Sequence, residues 1–406
     1  MTSHTQSWGD RPYAVALAGM LALAVAMGVG RFAFTPLLPM MMDDGVVTLT
    51  SGSWLATANY IGYLVGALAC MAFPWVAPAL YRCWHPARLA RVGLVATVVL
   101  TVAMAAPLQA TWPTLRFAAG VASAVVLLNV ASWCMVRLTV LGQPALGGLI
   151  FSGPGVGIVL TGLAASAMVA LDWRAATAWA VFGMLSVLLC LLVWPVVQGR
   201  AAKTLPTAPA RHAQGASEDA SVPARALHAL AYGLAGLGYI VTATFLPVIA
   251  RTALPAGSPW PDLFWPIFGA GVAVGAALST RAPMAWDRRW LLMLAYLMQA
   301  LGIGVGLWWP TPAGFAASSL LLGLPFTAIT FYGLQEARRI WPSSADSNTS
   351  LITAVYGLGQ IIGPPMVAWL LGRGTQAEGF AWGLSLAAAA LVAGALMYAF
   401  AALRWR

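Results

Sequence analysis

Residues 198–225, QGRAAKTLPTAPARHAQGASEDASVPAR, form the one long polar stretch in a chain of 406 residues. Rich in Ala, Pro, Ser and charge, this stretch reads as a linker. On either side the composition inverts. Hydrophobic residues make up 61% of the chain and Asp, Glu, Lys and Arg only 8%, against about 25% charged in an ordinary soluble domain. So few charges cannot cover a water-exposed surface of this size, which excludes a soluble fold, disorder and nucleic-acid binding, and makes the lipid bilayer the expected surroundings.

An α-helix needs about 20 apolar residues to cross the hydrocarbon core, whereas a membrane barrel shows short alternating strands. Six long apolar runs precede the linker, near 13–41, 52–76, 91–108, 113–138, 144–171 and 174–197. Six more follow, near 226–251, 261–281, 289–309, 313–339, 347–371 and 379–403. The chain therefore reads as an all-α membrane protein with twelve transmembrane helices, a half at 1–197 and a half at 226–406. The first run is too long for a signal-peptide core and leads to Asp43 and Asp44 with no evident cleavage site, so it is expected to be retained.

The net charge of +10 has a topological explanation. With the N-terminus inside, sixteen of the 21 Lys and Arg fall in inside segments, from Arg11 through the linker cations Arg200, Lys203 and Arg211 to Arg404 and Arg406. Only Arg174, Arg251 and Arg373 fall outside, and Arg31 and Arg116 lie within helices. This asymmetry places both termini in the cytoplasm. Cys70, Cys83, Cys134 and Cys190 have no paired spacing and read as reduced packing residues, with no metal cluster and no disulfide framework.

The halves repeat each other. Gly28-Val29-Gly30 leading to Leu38-Pro39 returns as Gly236-Leu237-Gly238 leading to Leu246-Pro247, at an offset of 208. Gly62, Gly66 and Ala67 match Gly271, Gly275 and Ala276 at 209, and Gly153 and Gly155 match Gly357 and Gly359 at 204. Parallel six-helix repeats characterise transporters whose halves rock about a site near the bilayer midplane.

Four segments carry a family likeness: Gly30 to Pro39 (GRFAFTPLLP), Asn59 to Leu68 (NYIGYLVGAL), Leu230 to Pro247 (LAYGLAGLGYIVTATFLP) and Thr353 to Pro364 (TAVYGLGQIIGP). Together they resemble the bacterial YbfB/YjiJ-type branch of the major facilitator superfamily over essentially the whole chain. The resemblance implies the major facilitator fold in a bacterial inner membrane and says little about substrate. Arg116-Phe117-Ala118-Ala119-Gly120 is similar to the RxxxG motif of proton-coupled members. Gly153-Pro154-Gly155-Val156-Gly157 carries the GPxxG core of the antiporter motif without its upstream part. The loop after the second helix departs from the superfamily pattern: it keeps basic residues in Arg82, Arg88 and Arg91 but lacks the Asp of the usual charge relay.

An intramembrane Arg costs about 2.5 to 3.5 kcal/mol on insertion scales and so needs a wet cavity or a partner. Arg31 and Arg116 lie at similar depth, on helices that line the central cavity in the superfamily, and are expected to aim two guanidinium groups at one chamber. Their obvious ligand is a carboxylate or phosphate held by paired hydrogen bonds. The acidic residues, including Glu336, all fall in loops or at helix ends, and His4, His85, His212 and His228 read as peripheral. Any proton coupling is then expected to run through the ionisation of the substrate itself. The lack of clustered His, Asp, Glu or Cys also argues against an enzyme, and no P-loop or other cofactor motif is present.

Uncharged polar residues complete the candidate site. Arg31 with Thr35, Asn59 with Tyr63, Tyr232 with Tyr239, Tyr356 with Gln360, and Thr327 with Thr330 recur at helical spacing on single faces. The expected binding set is Arg31, Thr35, Asn59, Tyr63, Arg116, Tyr239, Thr327, Tyr356 and Gln360. Gly153, Pro154 and Gly157, with Gly359 and Pro364, read as pivots, and Glu336, with Arg338 and Arg339 at the end of the tenth helix, as a cytoplasmic gate pair. The sequence thus predicts a monomeric secondary transporter of a small organic anion working by alternating access, with protons as candidate partners. The alternatives are a proton-coupled exporter of amphipathic drug-like compounds and a non-transporting membrane sensor.

Overall fold

The computed structural model describes residues 8–197, 220–283, 285–341 and 345–405. All regular structure among them is helical. Twelve helices are long and apolar enough to cross a membrane. In the first half these are α1 (Pro12–Asp43), α2 (Leu49–Val76), α3 (Pro86–Ala103), α4 (Gln109–Val140), α5 (Pro144–Ala170) and α6 (Ala175–Val193). In the second they are α7 (Val222–Ala253), α8 (Pro261–Ser279), α9 (Arg288–Trp308), α10 (Pro312–Ile340), α11 (Ala345–Leu371) and α12 (Gln376–Arg404).

Most boundaries follow local chemistry. Pro occupies the first turn of α3, α7, α8 and α10, where its missing N–H costs nothing and its fixed φ suits the helix. The third span corrects the sequence expectation of 91–108: it begins at Pro86 and ends at Ala103, and the apolar segment Met104 to Leu108 turns back instead, with Pro107 unable to continue the ladder. Of the predicted linker, residues 198–219, with Arg200, Lys203, Arg211 and His212, lie outside the described residues. Val222 to Arg225 already belong to α7.

Two helices are irregular. Helix α1 is α-helical over Pro12–Leu23, a π-helix over Ala24–Phe32, and α-helical again over Phe34–Asp43. Helix α5 breaks at Phe151 and Ser152, and its main segment restarts at Gly153 with Pro154 in the first turn. Pro154 therefore opens a helix, whereas Pro39, Pro247, Pro325 and Pro364 sit inside theirs.

Glycine sets how closely helices approach, as expected where lipid offers no hydrophobic drive between them. A Cβ on Gly62 would lie 1.9 Å from the Phe117 carbonyl oxygen, and one on Gly275 would lie 1.9 Å from that of Leu324. The repeated glycines of α2 and α8 thus do the same work, against α4 and α10. The α5 and α11 glycines pair differently from the offset of 204. Gly157 packs on Gly28 of α1 as Gly359 packs on Gly233 of α7, while Gly155 meets α8 and Gly357 meets Leu64 of α2. Equivalent contacts are therefore 202 residues apart, two fewer than the sequence match gave.

Candidate functional site

Arg31 sits near the end of the π-stretch of α1 and is only 3% exposed. Its guanidinium carbon lies 4.1 Å from the ring centre of Tyr63 and 5.1 Å from that of Tyr60. Nη2 donates to Oε1 of Gln360 in α11, which ties the two halves together through the site. Nε–H is buried and has no hydrogen-bond partner.

This side chain lines a cavity of about 410 Å³ between the halves. Tyr63, Tyr239, Thr327, Tyr356 and Gln360 of the expected binding set line it too, with Tyr232 and Thr330. Along α10 the lining runs through Thr327, Thr330 and Leu334 to Arg338. That end is the linker face, because Ala220 N–H, at the linker's exit, donates to the Ile340 carbonyl at 3.0 Å. Beyond Arg31 in the other direction the halves are sealed. Thr35 Oγ1 donates to the Ala243 carbonyl at 2.7 Å, and the Tyr60 and Thr244 hydroxyls pair at 2.8 Å. Further out, Arg251 Nη1 reaches Asp43 at 2.9 Å and Nη2 reaches Asp262 at 2.8 Å.

The expectation of two guanidinium groups in one chamber is corrected. Arg116 is 2% exposed and is absent from the cavity wall; Nη1 donates to the Gly30 carbonyl at 3.2 Å and Nη2 to the Arg31 carbonyl at 3.1 Å. The π-stretch disturbs the regular α-helical carbonyl ladder, and a planar fork suits two successive carbonyls. Ser123 Oγ takes a third carbonyl of the same stretch, that of Ala26, at 2.7 Å. Asn59 also leaves the binding set: its Nδ2 donates to the Arg116 carbonyl at 2.9 Å. Thr35 belongs to the seal. These three residues hold the site and do not line it.

Of the two predicted gate cations, Arg339 pairs with Glu336 and Arg338 does not. Glu336 accepts from Arg339, Nε at 2.7 Å and Nη2 at 2.6 Å, within one helix. Arg338 faces the main cavity, while Glu336 turns to a second cleft of about 370 Å³ inside the second half, with His228, Arg289, Tyr398 and Trp405. Two residues apart on a helix cannot share a face. His228 is not peripheral: it is 3% exposed, and its Nδ1 lies 3.0 Å from the Tyr398 hydroxyl. At the edge of this region Asp287 caps α9. Hydrogen bonds from the Arg289 side chain, and then from its backbone N–H, hold the Asp287 carboxyl below the usual carboxylate range.

Of the expected pivots, Pro154 lines the cavity and adjoins the α5 break, Gly153 and Gly157 pack α5 on α1, and Gly359 packs α11 on α7. Tyr60, Phe32 and Phe326 were not foreseen. Phe326 and Tyr239 meet edge to face at 4.9 Å, and Phe32 lies 6.3 Å from Phe326. Their only sequence signal is adjacency, Tyr60 to Asn59 and Phe326 to Thr327. Among the described residues no carboxylate lines the cavity, so the buried charge of Arg31 is answered by an amide and aromatic faces alone.

A family model described as uncharacterised MFS-type transporter YbfB matches residues 23–399. The chain belongs to this family of the major facilitator superfamily. It is thus a multi-pass membrane transporter. No curated protein matches the sequence. Among solved structures, the fold is similar to that of a point mutant of the nucleoside transporter NupG, with a TM-score of 0.69 at 15% identity, covering 95% of this chain and 99% of that one. It is also similar to a D-xylose-proton symporter, with a TM-score of 0.70 at 14% identity, covering 95% and 97%. At such identities the likeness concerns the fold, and the YbfB-type site must be read from its own residues.

Proposed function

We propose that this protein is a secondary transporter of a small organic anion, working by alternating access as a monomer in the bacterial inner membrane. The observation that carries the reading is Arg31: a buried guanidinium at the closed end of a cavity, with an unpartnered Nε–H and, among the described residues, no carboxylate beside it. In such surroundings a carboxylate ligand gains paired, charge-assisted hydrogen bonds that water weakens elsewhere. The positive-inside pattern supports a cytoplasmic linker face and cytoplasmic termini, so this conformation faces inward. The substrate entering with its own proton supplies a route for coupling.

The apolar wall of Met27, Leu64, Leu127, Leu128 and Phe151 favours a second reading, an exporter of amphipathic drug-like compounds. Arg31→Gln separates the two. An anion carrier loses uptake of labelled organic anions into proteoliposomes while remaining folded; no anion uptake by the wild type overturns the anion reading, undiminished uptake by the variant overturns Arg31 as the anion's partner, and preserved drug resistance in cells favours the exporter.

A further inference from the structure

Among the described residues, the deep end of the cavity holds one cation. Arg116 spends its fork on backbone carbonyls, and Arg338 stands at the linker end of the wall. Arg31 itself is partly committed, with Nη2 on Gln360 and one face toward Tyr63. A single carboxylate satisfies what remains. A second negative charge on the same small molecule would lie among Phe32, Phe326 and the tyrosine rings, desolvated and unpaired, which is costly.

The walls beside Arg31 are flat and aromatic. Tyr239 and Tyr356 stack with centroids 5.9 Å apart and planes 17° apart, and Tyr232 lies against Tyr356 at 4.9 Å. Phe326 presents its ring edge-on to Tyr239. Offset or edge-to-face contact with such walls rewards a planar ring over a saturated one of the same size. Thr327 and Thr330 bring hydroxyls to the same wall, on the linker side of Arg31, where a ring hydroxyl can pair with them.

We infer that the cavity takes an aromatic monocarboxylate, its carboxylate on Arg31 and its ring among Tyr239, Tyr356 and Phe326. This rests on the anion reading and narrows it. Four probes test it on the purified full-length protein by calorimetric titration: 4-hydroxybenzoate, cyclohexanecarboxylate, succinate and inorganic phosphate. The expected order places 4-hydroxybenzoate at least tenfold tighter than each of the others. In Phe326→Leu that preference shrinks while cyclohexanecarboxylate binding changes little. Arg31→Gln abolishes binding, and Arg31→Lys, which keeps the charge without the fork, weakens it. Equal affinity for the saturated ring, or tighter succinate or phosphate, overturns the aromatic class while the anion reading stands. Absence of binding by every anion overturns both, and binding of 4-hydroxybenzoate unchanged in a folded Arg31→Gln protein overturns Arg31 as the anion's partner. If Arg31→Gln does not fold, the wild-type ranking and the Lys variant decide.

Discussion

Asp43 and Arg251 form an ion pair across the two halves at 2.9 Å, and they stand 208 residues apart, the offset at which the first helix of each half repeats. Thr35 and Ala243, joined by a hydrogen bond deeper in the same seal, have the same separation. At these two positions of the segment Phe34–Asp43, a residue of α1 meets its own repeat equivalent in α7. The seal lies where a pseudo-twofold axis passes between the halves, so that opening it parts both helices symmetrically.

Asp43→Asn should shift the conformational equilibrium only modestly toward opening at this seal. Asp43 is largely exposed, Arg251 keeps Asp262, and an exposed pair contributes about 0.2 to 1 kcal/mol, at most roughly a fivefold change in population. Tyr60→Phe removes a buried hydrogen bond to Thr244 and should shift it further, by about 1 to 3 kcal/mol. Spin-label distances across the ends of α1 and α7 that carry Asp43 and Arg251 would show both, and equal effects would contradict the buried seal as the main barrier.

Arg116→Gln should lower thermal stability sharply and abolish ligand binding, since it strips the Gly30 and Arg31 carbonyls of charged donors worth about 1.5 to 3 kcal/mol each. Arg116→Lys should not rescue it, because an ammonium lacks the planar fork that spans two carbonyls. Melting curves in detergent check the order, and a wild-type melting point for the Lys variant would refute the clamp.

Gly62→Ala should cut the yield of monodisperse protein severely. The added methyl would sit 1.9 Å from the Phe117 carbonyl oxygen, a backbone atom that cannot rotate away. Gly45→Ala offers a contrast: it meets nothing within 4 Å, and its penalty comes only from a φ of +69°. Size-exclusion profiles of the two should differ clearly.

Asp287 gives a signed pH dependence. Its folded-state carboxyl titrates below its unfolded value because Arg289 hydrogen-bonds the ionised form. The contribution is therefore fully present above the ordinary carboxylate range, near pH 4, and is lost as pH falls below it through the folded value. Asp287→Asn should lower the melting temperature above pH 6, where the contribution is present, and flatten the acid limb, so that the two profiles converge at low pH.

Twelve spans were legible because hydropathy at helical length is a demand of the bilayer, and the repeated glycines of α2 and α8 marked positions where helices pack closely. Arg31, Tyr356 and Gln360 were legible because lipid tolerates no unaccounted polar stripe. Arg116 carried the same signal as Arg31, yet its donors go to the main chain. Composition shows that a buried guanidinium needs partners and not whether those partners are ligand or backbone. His228 and Glu336 were misjudged because closeness to a helix end does not imply exposure when neighbouring helices extend past it.

The nine residues from Ala24 to Phe32 wind more loosely than an α-helix, so α1 carries slack in its register just before its charged side chain. A deletion within Val25 to Val29 would be absorbed as the segment tightens to α-helical winding, whereas one within the already α-helical Pro12–Leu23 finds no slack and turns Arg31 by roughly 100° about the axis relative to the residues before it. The charge would then point at a neighbouring helix while the protein still crossed the membrane twelve times. Electric polarity in this carrier is therefore a matter of winding number, set by backbone length as much as by the identity of residue 31.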